Sequence, residues 1–561
     1  MRGYITIWFR FHNMLDPDVR YRILHLLDKT GAYDTADNAP CNFTGETENH
    51  LLQIESSRYL TNQILDNAFR SEGDIYVDFH NGQDDNVANG MTAYILTMLQ
   101  GFLQNDFKEY NSTPYQTYSI ASVLNLADDA GDVNVATGAR AVLDYLSAKF
   151  AVSDNLLRRS VPYRRRPSDY STDLVSRSSD PLKNDFMVLT GMTQILANAK
   201  LPFHARVGTE TDMQIMAVSS YEPPSLIMDL IMNPAHRHFF ERFKHDGVEI
   251  YSSEPEFLIS SGGIWTGGYL TVLGGDQADD QGIAVPTVLI PTQMPAAASS
   301  PPNANTNVTN FIRIDGVGSD PCLPGPCNIK DGPYPNRDRV MTCVTQDFAC
   351  GINPVIPEFY LTNPACVHTD QQVVNGQAIG QWTFLDRQSS SCVGNEPLGF
   401  DVAVYSASMD PGLTCLLFPS PCPGTYDGTH LTYGFFEAQG GGVNTRGQPA
   451  SFQSFWQTVL ANNQGRSFGP TGENVYKALD GREIHFLMNP PADNKWSWPI
   501  LADPAVGVTP NQQDISAWPL VQGDVLDGDG HSGMVTVTND GTKQKLVINF
   551  VDSARPMITN G

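Results

Sequence analysis

Asn49 and His50 stand side by side near the start of the stretch GETENHLLQIESSRYLTNQIL, residues 45–65. Thr47 is an N-cap candidate, and Leu52, Tyr59, Leu60, Ile64 and Ala68 recur at helical spacing, so the pair falls in the first turn of a helix. The free N–H groups and positive dipole end of that turn disfavour a protonated imidazole, which leaves a neutral His50 able to take a proton. Asn49, Gln53 and Ser56 follow one another about a turn apart, giving a polar stripe beside the apolar one. Tyr115 and Tyr118 open a second helical pattern, and a phenol near a helix N-terminus can return a proton that a histidine has taken. Arg158, Arg159, Arg164, Arg165 and Arg166 put five guanidinium groups into nine residues, the type of group that pairs bidentately with carboxylate or sulfate. Structural duties compete with these roles: a capping asparagine, an exposed histidine, packing tyrosines and a solvated charge run.

The elements that must position these groups are helices in the first part of the chain. Pro17 to Leu27, Met91 to Phe107, Gln116 to Ala130 and Val133 to Phe150 carry apolar residues three or four apart, with short links. Asp185 to Ala197 and Pro224 to Phe243 are expected to add two more. Serial antiparallel helical hairpins make a layered all-α domain or an incomplete α/α toroid. From Gly247 onward the period changes to short alternating runs separated by turn clusters, as in QWTFL at 381–385 and FDVAVY at 400–405. Near the end, GMVTVTNDGTKQKLVINF over residues 533–550 reads as a hairpin turning at Asn539-Asp-Gly541. The expected fold class is therefore α+β and multidomain. A helical domain spans 1–245, a β-rich domain 247–445 carries a cysteine-rich insertion at 322–422, and a β module spans 446–561, with the β parts as antiparallel sandwiches.

Bulk properties narrow the function. The 561-residue chain is 41% hydrophobic and 17% charged, an ordinary globular composition, and its formal charge of −26 argues against nucleic acid as a partner. No apolar run is long enough to span a membrane. The opening MRGYITIWFR has no signal-peptide core, so export would require a leader already removed. Eight of nine cysteines fall between Cys322 and Cys422 among Gly, Pro and Asn, without zinc-type spacing; at least three disulfides and a secreted, extracellular or periplasmic location are expected. Cys41 stands apart.

Other motifs are weaker. His236 and His238 are spaced as two metal ligands in a strand, with no third ligand evident, and a surface pair is the simpler reading. Asp524, Asp527 and Asp529 are similar to a calcium loop but miss the EF-hand glycine and terminal acid, so a structural calcium is the most they suggest and no other cofactor is expected. The GDGHSG run at 528–533 leads into a strand instead of a helix, the wrong setting for a dinucleotide.

Asn49-His50 in an early helix, a tyrosine one hairpin further on, arginines beyond it and β modules after a helical domain resemble the α/α-toroid polysaccharide lyases, the alginate-lyase and heparinase-like group. The resemblance covers residues 40–170 in motif and the remainder in layout. It implies His50, Tyr115 and Tyr118 as catalytic candidates, with Asn49, Gln53, Arg58, Arg164 and Arg165 binding an acidic polysaccharide cleaved by β-elimination. Two alternatives accompany it. One is a toroid glycoside hydrolase using paired carboxylates drawn from Glu48, Glu55, Asp78, Asp84 or Asp85. The other is a non-catalytic extracellular surface or assembly protein.

Overall fold

The computed structural model describes residues 2–29, 47–72, 84–112, 115–155, 157–160, 175, 180–191, 213–244, 248–262, 285–292, 311–316, 343–389, 391–392, 398–408, 432–440, 451–470, 472–488, 498–507 and 514–561. Helices occupy the first part: α1 (Arg2–Phe11), α2 (Pro17–Lys29), α3 (Glu48–Glu72), α4 (Met91–Asn105), α5 (Tyr115–Asp129) and α6 (Val133–Ser153). Asp132 starts α6 by accepting from the backbone N–H groups of Asn134 at 2.8 Å and Val135 at 3.2 Å. Helix α5 lies between α3 and α6 and is buried from Gln116 to Ala127 except at Tyr118, as a helix wrapped by its neighbours must be.

After α6 the chain forms a two-stranded ribbon, β1 (Asp154–Asn155) and β2 (Arg158–Arg159), then α7 (Pro181–Leu189), α8 (Met213–Val218) and α9 (Ser225–Met232). The single helix expected over Pro224–Phe243 is not what forms. Asn233 leaves helical geometry and its side chain accepts from Ala235 N–H, Pro234 starts a separate 3-10 turn, and FFERFK alternates into β3 (Phe239–Lys244). Strands therefore begin a few residues before the Gly247 boundary read from the sequence. Helix α7 likewise starts earlier than expected, with Pro181 at its first position.

The strands that follow are β4 (Val248–Glu254), β5 (Phe257–Gly262), β6 (Val285–Pro291), β7 (Ile312–Gly316), β8 (Val344–Thr345), β9 (Phe348–Val355), β10 (Val367–Val374), β11 (Gln377–Leu385), β12 (Phe400–Ser408) and β13 (Thr432–Gly440). After helix α10 (Phe452–Asn462) come β14 (Asn474–Lys477), β15 (Glu483–Phe486), β16 (Ile500–Ala502), β17 (Val521–Gly523), β18 (Leu526–Gly528), β19 (Met534–Asn539), β20 (Gln544–Asn549) and β21 (Met557–Asn560). Among the described residues one antiparallel sheet has the order β10-β11-β12-β13-β9-β7-β6-β5-β4-β3-β17, with β8 beside β9. Its edge strand β17 comes from the C-terminal stretch and pairs Val521 with Phe243. Smaller sheets join β14 to β16 and β18 to β21.

Alternation along the strands serves two cores. On one face of the large sheet, Phe239, Phe243, Tyr251, Leu258, Val288 and Ile290 pack with the helices and with the hairpin residues Val535, Val537, Leu546 and Ile548. Phe240, Ile250, Ile259 and Leu289 turn to a second core filled by Trp382, Tyr405, Phe435, Phe468, Tyr476 and Trp498. The hairpin expected at 533–550 is β19–β20, where Asn539 Oδ1 accepts from Gly541 N–H at 2.9 Å. Its far end reaches the helices: a Cβ on Gly138 of α6 would lie 2.8 Å from the Phe550 ring, so only glycine admits that approach. Disulfides join Cys343 to Cys350 and Cys366 to Cys392. Cys41, Cys322, Cys327, Cys415 and Cys422 lie outside the described residues. No described helix is long and apolar enough to cross a membrane.

Candidate functional site

Asn49 is held from sixty residues away. The Glu109 carboxylate accepts from Asn49 N–H at 2.8 Å and from its Nδ2 at 2.5 Å, while Glu48 accepts from the N–H groups of Lys108 at 2.9 Å and Glu109 at 3.2 Å. Helix α3 and the 106–112 loop thus cap each other, and the carboxylate of Glu109 occupies the positive helix end. Gln53 Nε2 completes the arrangement by donating to Asn49 Oδ1 at 3.1 Å. His50, the next residue round the helix, is exposed. Arg58 is largely buried and paired with Glu55 at 3.1 Å, whose carboxyl burial pushes up against the lowering effect of Arg58.

Four turns further along α3, Gln63 Nε2 donates to Asp129 O at 2.8 Å and Gln63 Oε1 accepts from Gly131 N–H at 2.6 Å. Glu109 just before α5 meets the start of α3 and Asp129 at the close of α5 meets Gln63, so the two helices run parallel. His50 and Tyr115 therefore open neighbouring helices at the same end of the helical layer. Tyr115 and Tyr118 touch edge to face, with centroids 6.5 Å apart. Tyr118 lies beneath Arg2, whose guanidinium is 5.1 Å from its ring and donates to its carbonyl at 3.2 Å. Arg164 and Arg165 lie outside the described residues, as does Asp78.

Arg158 and Arg159 belong instead to a buried polar junction between helices and sheet. Arg159 grips Asp180 bidentately at 2.6 Å through Nε and 2.6 Å through Nη2, and donates to Asn111 O at 2.9 Å and Oδ1 at 2.6 Å. Arg158 donates to Asn155 O at 3.2 Å and Thr292 O at 3.0 Å. Arg237 donates to Asp154 O and, at 3.2 Å, to Ser253 Oγ on β4. Burial pushes the Asp154 carboxyl up to about 7, against the lowering effects of Arg237, the Leu157 N–H and Arg158. Lys149 of α6 bonds Asp106, reaches Glu249 of β4 at 3.4 Å, and sits 3.6 Å above the Tyr110 ring centre. Lys149, Arg158 and Arg237 tie the helical side to the sheet, and Arg159 ties the β1–β2 ribbon to the segments flanking α5 and α7.

A different constellation opens to solvent. Asp144 of α6 accepts from the Tyr221 hydroxyl at 3.0 Å, and that hydroxyl also contacts Ser147 Oγ at 3.0 Å. Asp144 and Tyr221 border a groove of about 520 Å³ whose walls include Arg140, Glu222, Lys545 and Ile558. Burial pushes the Asp144 carboxyl up to about 7, opposed by the Tyr221 hydroxyl and Arg140. A carboxyl that gains and loses its proton near neutrality beside Arg140 can exchange protons with a ligand. No motif in the sequence marks it. Its one signal is an acid inside the apolar run VLDYL at 142–146.

The remaining motifs separate into pairs. His236 meets Asp229 at 2.5 Å and His238 meets Glu254 at 2.7 Å, so the two histidines face different carboxylates. Asp524 accepts from Phe240 N–H at 3.0 Å, binding β3 to the C-terminal stretch. Among the described residues no group of three or more His, Cys, Asp or Glu side chains gathers as a metal site. In comparison with known proteins, no family model matches this chain, and neither a curated protein nor a solved structure matches it.

Proposed function

We propose that the chain is a non-catalytic extracellular assembly protein, a disulfide-linked scaffold that acts through its surfaces. What supports this is the use to which Lys149, Arg158, Arg159 and Arg237 are put: all four are buried, three of them bonded across the helix–sheet junction and Arg159 tying the β1–β2 ribbon to Asn111 and Asp180. A site for an acidic polymer needs cations facing solvent, whereas these groups give rigidity and orientation. Two disulfides add to that rigidity and suit an oxidising compartment. The test is to incubate the oxidised protein with uronate-containing and neutral glycans while measuring its solution mass. The expected result is a mass above that of one chain, with neither unsaturated-uronate absorbance nor new reducing ends. Turnover of any glycan would overturn the reading.

The parallel run of α3 and α5 favours one second reading. A secreted lyase of the incomplete-toroid and β-sandwich type, β-eliminating an acidic polysaccharide, would use His50 as base and Tyr115 as acid at the shared helix end. Asn49 would have to leave Glu109 to reach a uronate. If turnover is found, His50→Ala and Tyr115→Phe should each lower it by roughly 10²-fold or more. Retained turnover in both would move the chemistry to the Asp144 groove.

A further inference from the structure

Helix α1 has two apolar faces. Ile5 is fully buried and Phe9 packs against the helical core, as a surface helix requires. On the opposite side Tyr4, Ile7 and Phe11 follow at i, i+3 and i+7, and the stripe continues into Met14, which is 82% exposed. Val19 of the adjoining α2 extends it. Isolated exposed apolar residues are ordinary, but five on one helical hairpin form a patch.

We infer that this α1–α2 face is a two-fold interface with a second copy of the same chain, an inference that rests on the assembly reading. Three observations select that occupant. The first is size. Tyr4, Ile7, Phe11, Met14 and Val19 together offer on the order of 500 Å² of apolar surface, while a standard interface buries about 800 Å² per partner and a homodimer makes about 65% of that apolar.

The second is charge. Residues 1–29 hold five Lys or Arg against three Asp in a chain of net charge −26, and with Arg10 paired to Asp128 of α5 the segment stays close to neutral, so acidic repulsion between two copies is least there. Asp18 and Arg22, both exposed and one turn apart on α2, form a self-complementary couple. A two-fold axis brings the Asp18 of one copy toward the Arg22 of the other. The third is the chain that follows. Residues 30–46, TGAYDTADNAPCNFTGE, offer only Tyr33 and Phe43 as large apolar groups, a poor match for a five-residue stripe.

The experiment is sedimentation equilibrium of the full oxidised chain over a wide concentration range. It compares the parent with Ile7→Glu/Met14→Glu, Asp18→Arg, Arg22→Asp, and the exchange Asp18→Arg/Arg22→Asp. All four positions are exposed, so circular dichroism and Tm should stay at parent values. The parent should be a dimer or a multiple of one. The double glutamate variant should weaken self-association by at least about 100-fold, the scale of losing central interface side chains twice over. Either single charge reversal should weaken it about tenfold, and the exchange should restore it.

A parent that self-associates equally well with both glutamates in place overturns the α1–α2 interface but leaves the assembly reading standing. A parent that stays a single chain at every concentration overturns both. Co-flotation with anionic lipid vesicles, lost in the glutamate variant of a single-chain parent, would assign the face to a membrane surface and overturn the dimer.

Discussion

Where the helical layer meets β3 to β6, the contacts that fix orientation come from Lys149, Asp154, Arg158 and Arg237, and Arg159 extends the same ionic junction to Asn111 and Asp180. On the reverse face, the second core is held by aromatic rings: Trp382 lies edge-on to Tyr405 at 5.1 Å and to Phe435 at 5.4 Å, and Phe348 meets Tyr476 at 5.4 Å. Both regions are buried, and they fail differently. A ring cluster loses transfer and cavity energy in proportion to what is removed, and its neighbours can partly close the gap. An ionic junction gains little net stability as a whole, but losing one partner strands the other charge without water. The junction is thus the more brittle region, and it fixes relative placement because a bidentate guanidinium accepts few geometries.

The sharpest way to break that contrast is Arg159→Ala. It leaves Asp180 and the Asn111 carbonyl without their donor, and should cost about 3–5 kcal/mol by chemical denaturation. A cost near zero would mean that the junction is not the brittle region. Next, replacing both Cys366 and Cys392 by Ser opens a loop of sequence separation 26 and should cost about 3–4 kcal/mol. The Cys343 and Cys350 pair, separated by 7, should cost about 1 kcal/mol less by loop entropy. An inverted order would show that strain or enthalpy outweighs loop length. Phe435→Leu in the ring cluster should cost only about 1–2 kcal/mol, because its aromatic neighbours can shift toward the smaller side chain.

The helices and the strands that carry the ring cluster were more legible in the sequence than the junction. Helices α3, α5 and α6 show through their apolar stripes, and β19–β20 through alternation around Asn539-Asp-Gly541, because burial of one face imposes a period that neighbouring residues share. The SLIMDLIMNPAHRHFFERF stretch misled because apolar runs fit helix or strand, and only Asn233-Pro234 marks the break. The site candidates were legible as residue types, not as partnerships. Nothing local to Asn49 reveals that Glu109 holds it, and nothing around Arg159 reveals Asp180, since long-range pairing leaves no period. Lys149 and Asp144 sit in the apolar pattern of α6 and gain meaning only when Glu249 or Tyr221 arrives from elsewhere.

A pH-dependent effect concerns Asp144, which is buried like the junction acids but borders a groove. Its carboxyl titrates at about 7 in the folded chain, against about 4 when unfolded, so between those values the folded state holds a proton that the unfolded state has released. Its contribution is therefore fully present below about pH 4 and is lost as pH rises through 7. Above that, the folded protein must carry a buried charge, which the exposed Arg140 and the Tyr221 hydroxyl only partly offset. Asp144→Asn keeps an acceptor for Tyr221 but cannot ionise. Near pH 4 its stability should match the parent, and near pH 8 it should exceed it by about 4 kcal/mol, the linkage value of a three-unit shift. Thermal unfolding of both proteins from pH 4 to 8 measures the difference, and Asp129 and Asp154, also pushed up to about 7, cancel in the comparison. A gap that stays constant across this range would mean that Asp144 does not titrate within it, and the groove would then behave as a closed ionic contact like those of the junction.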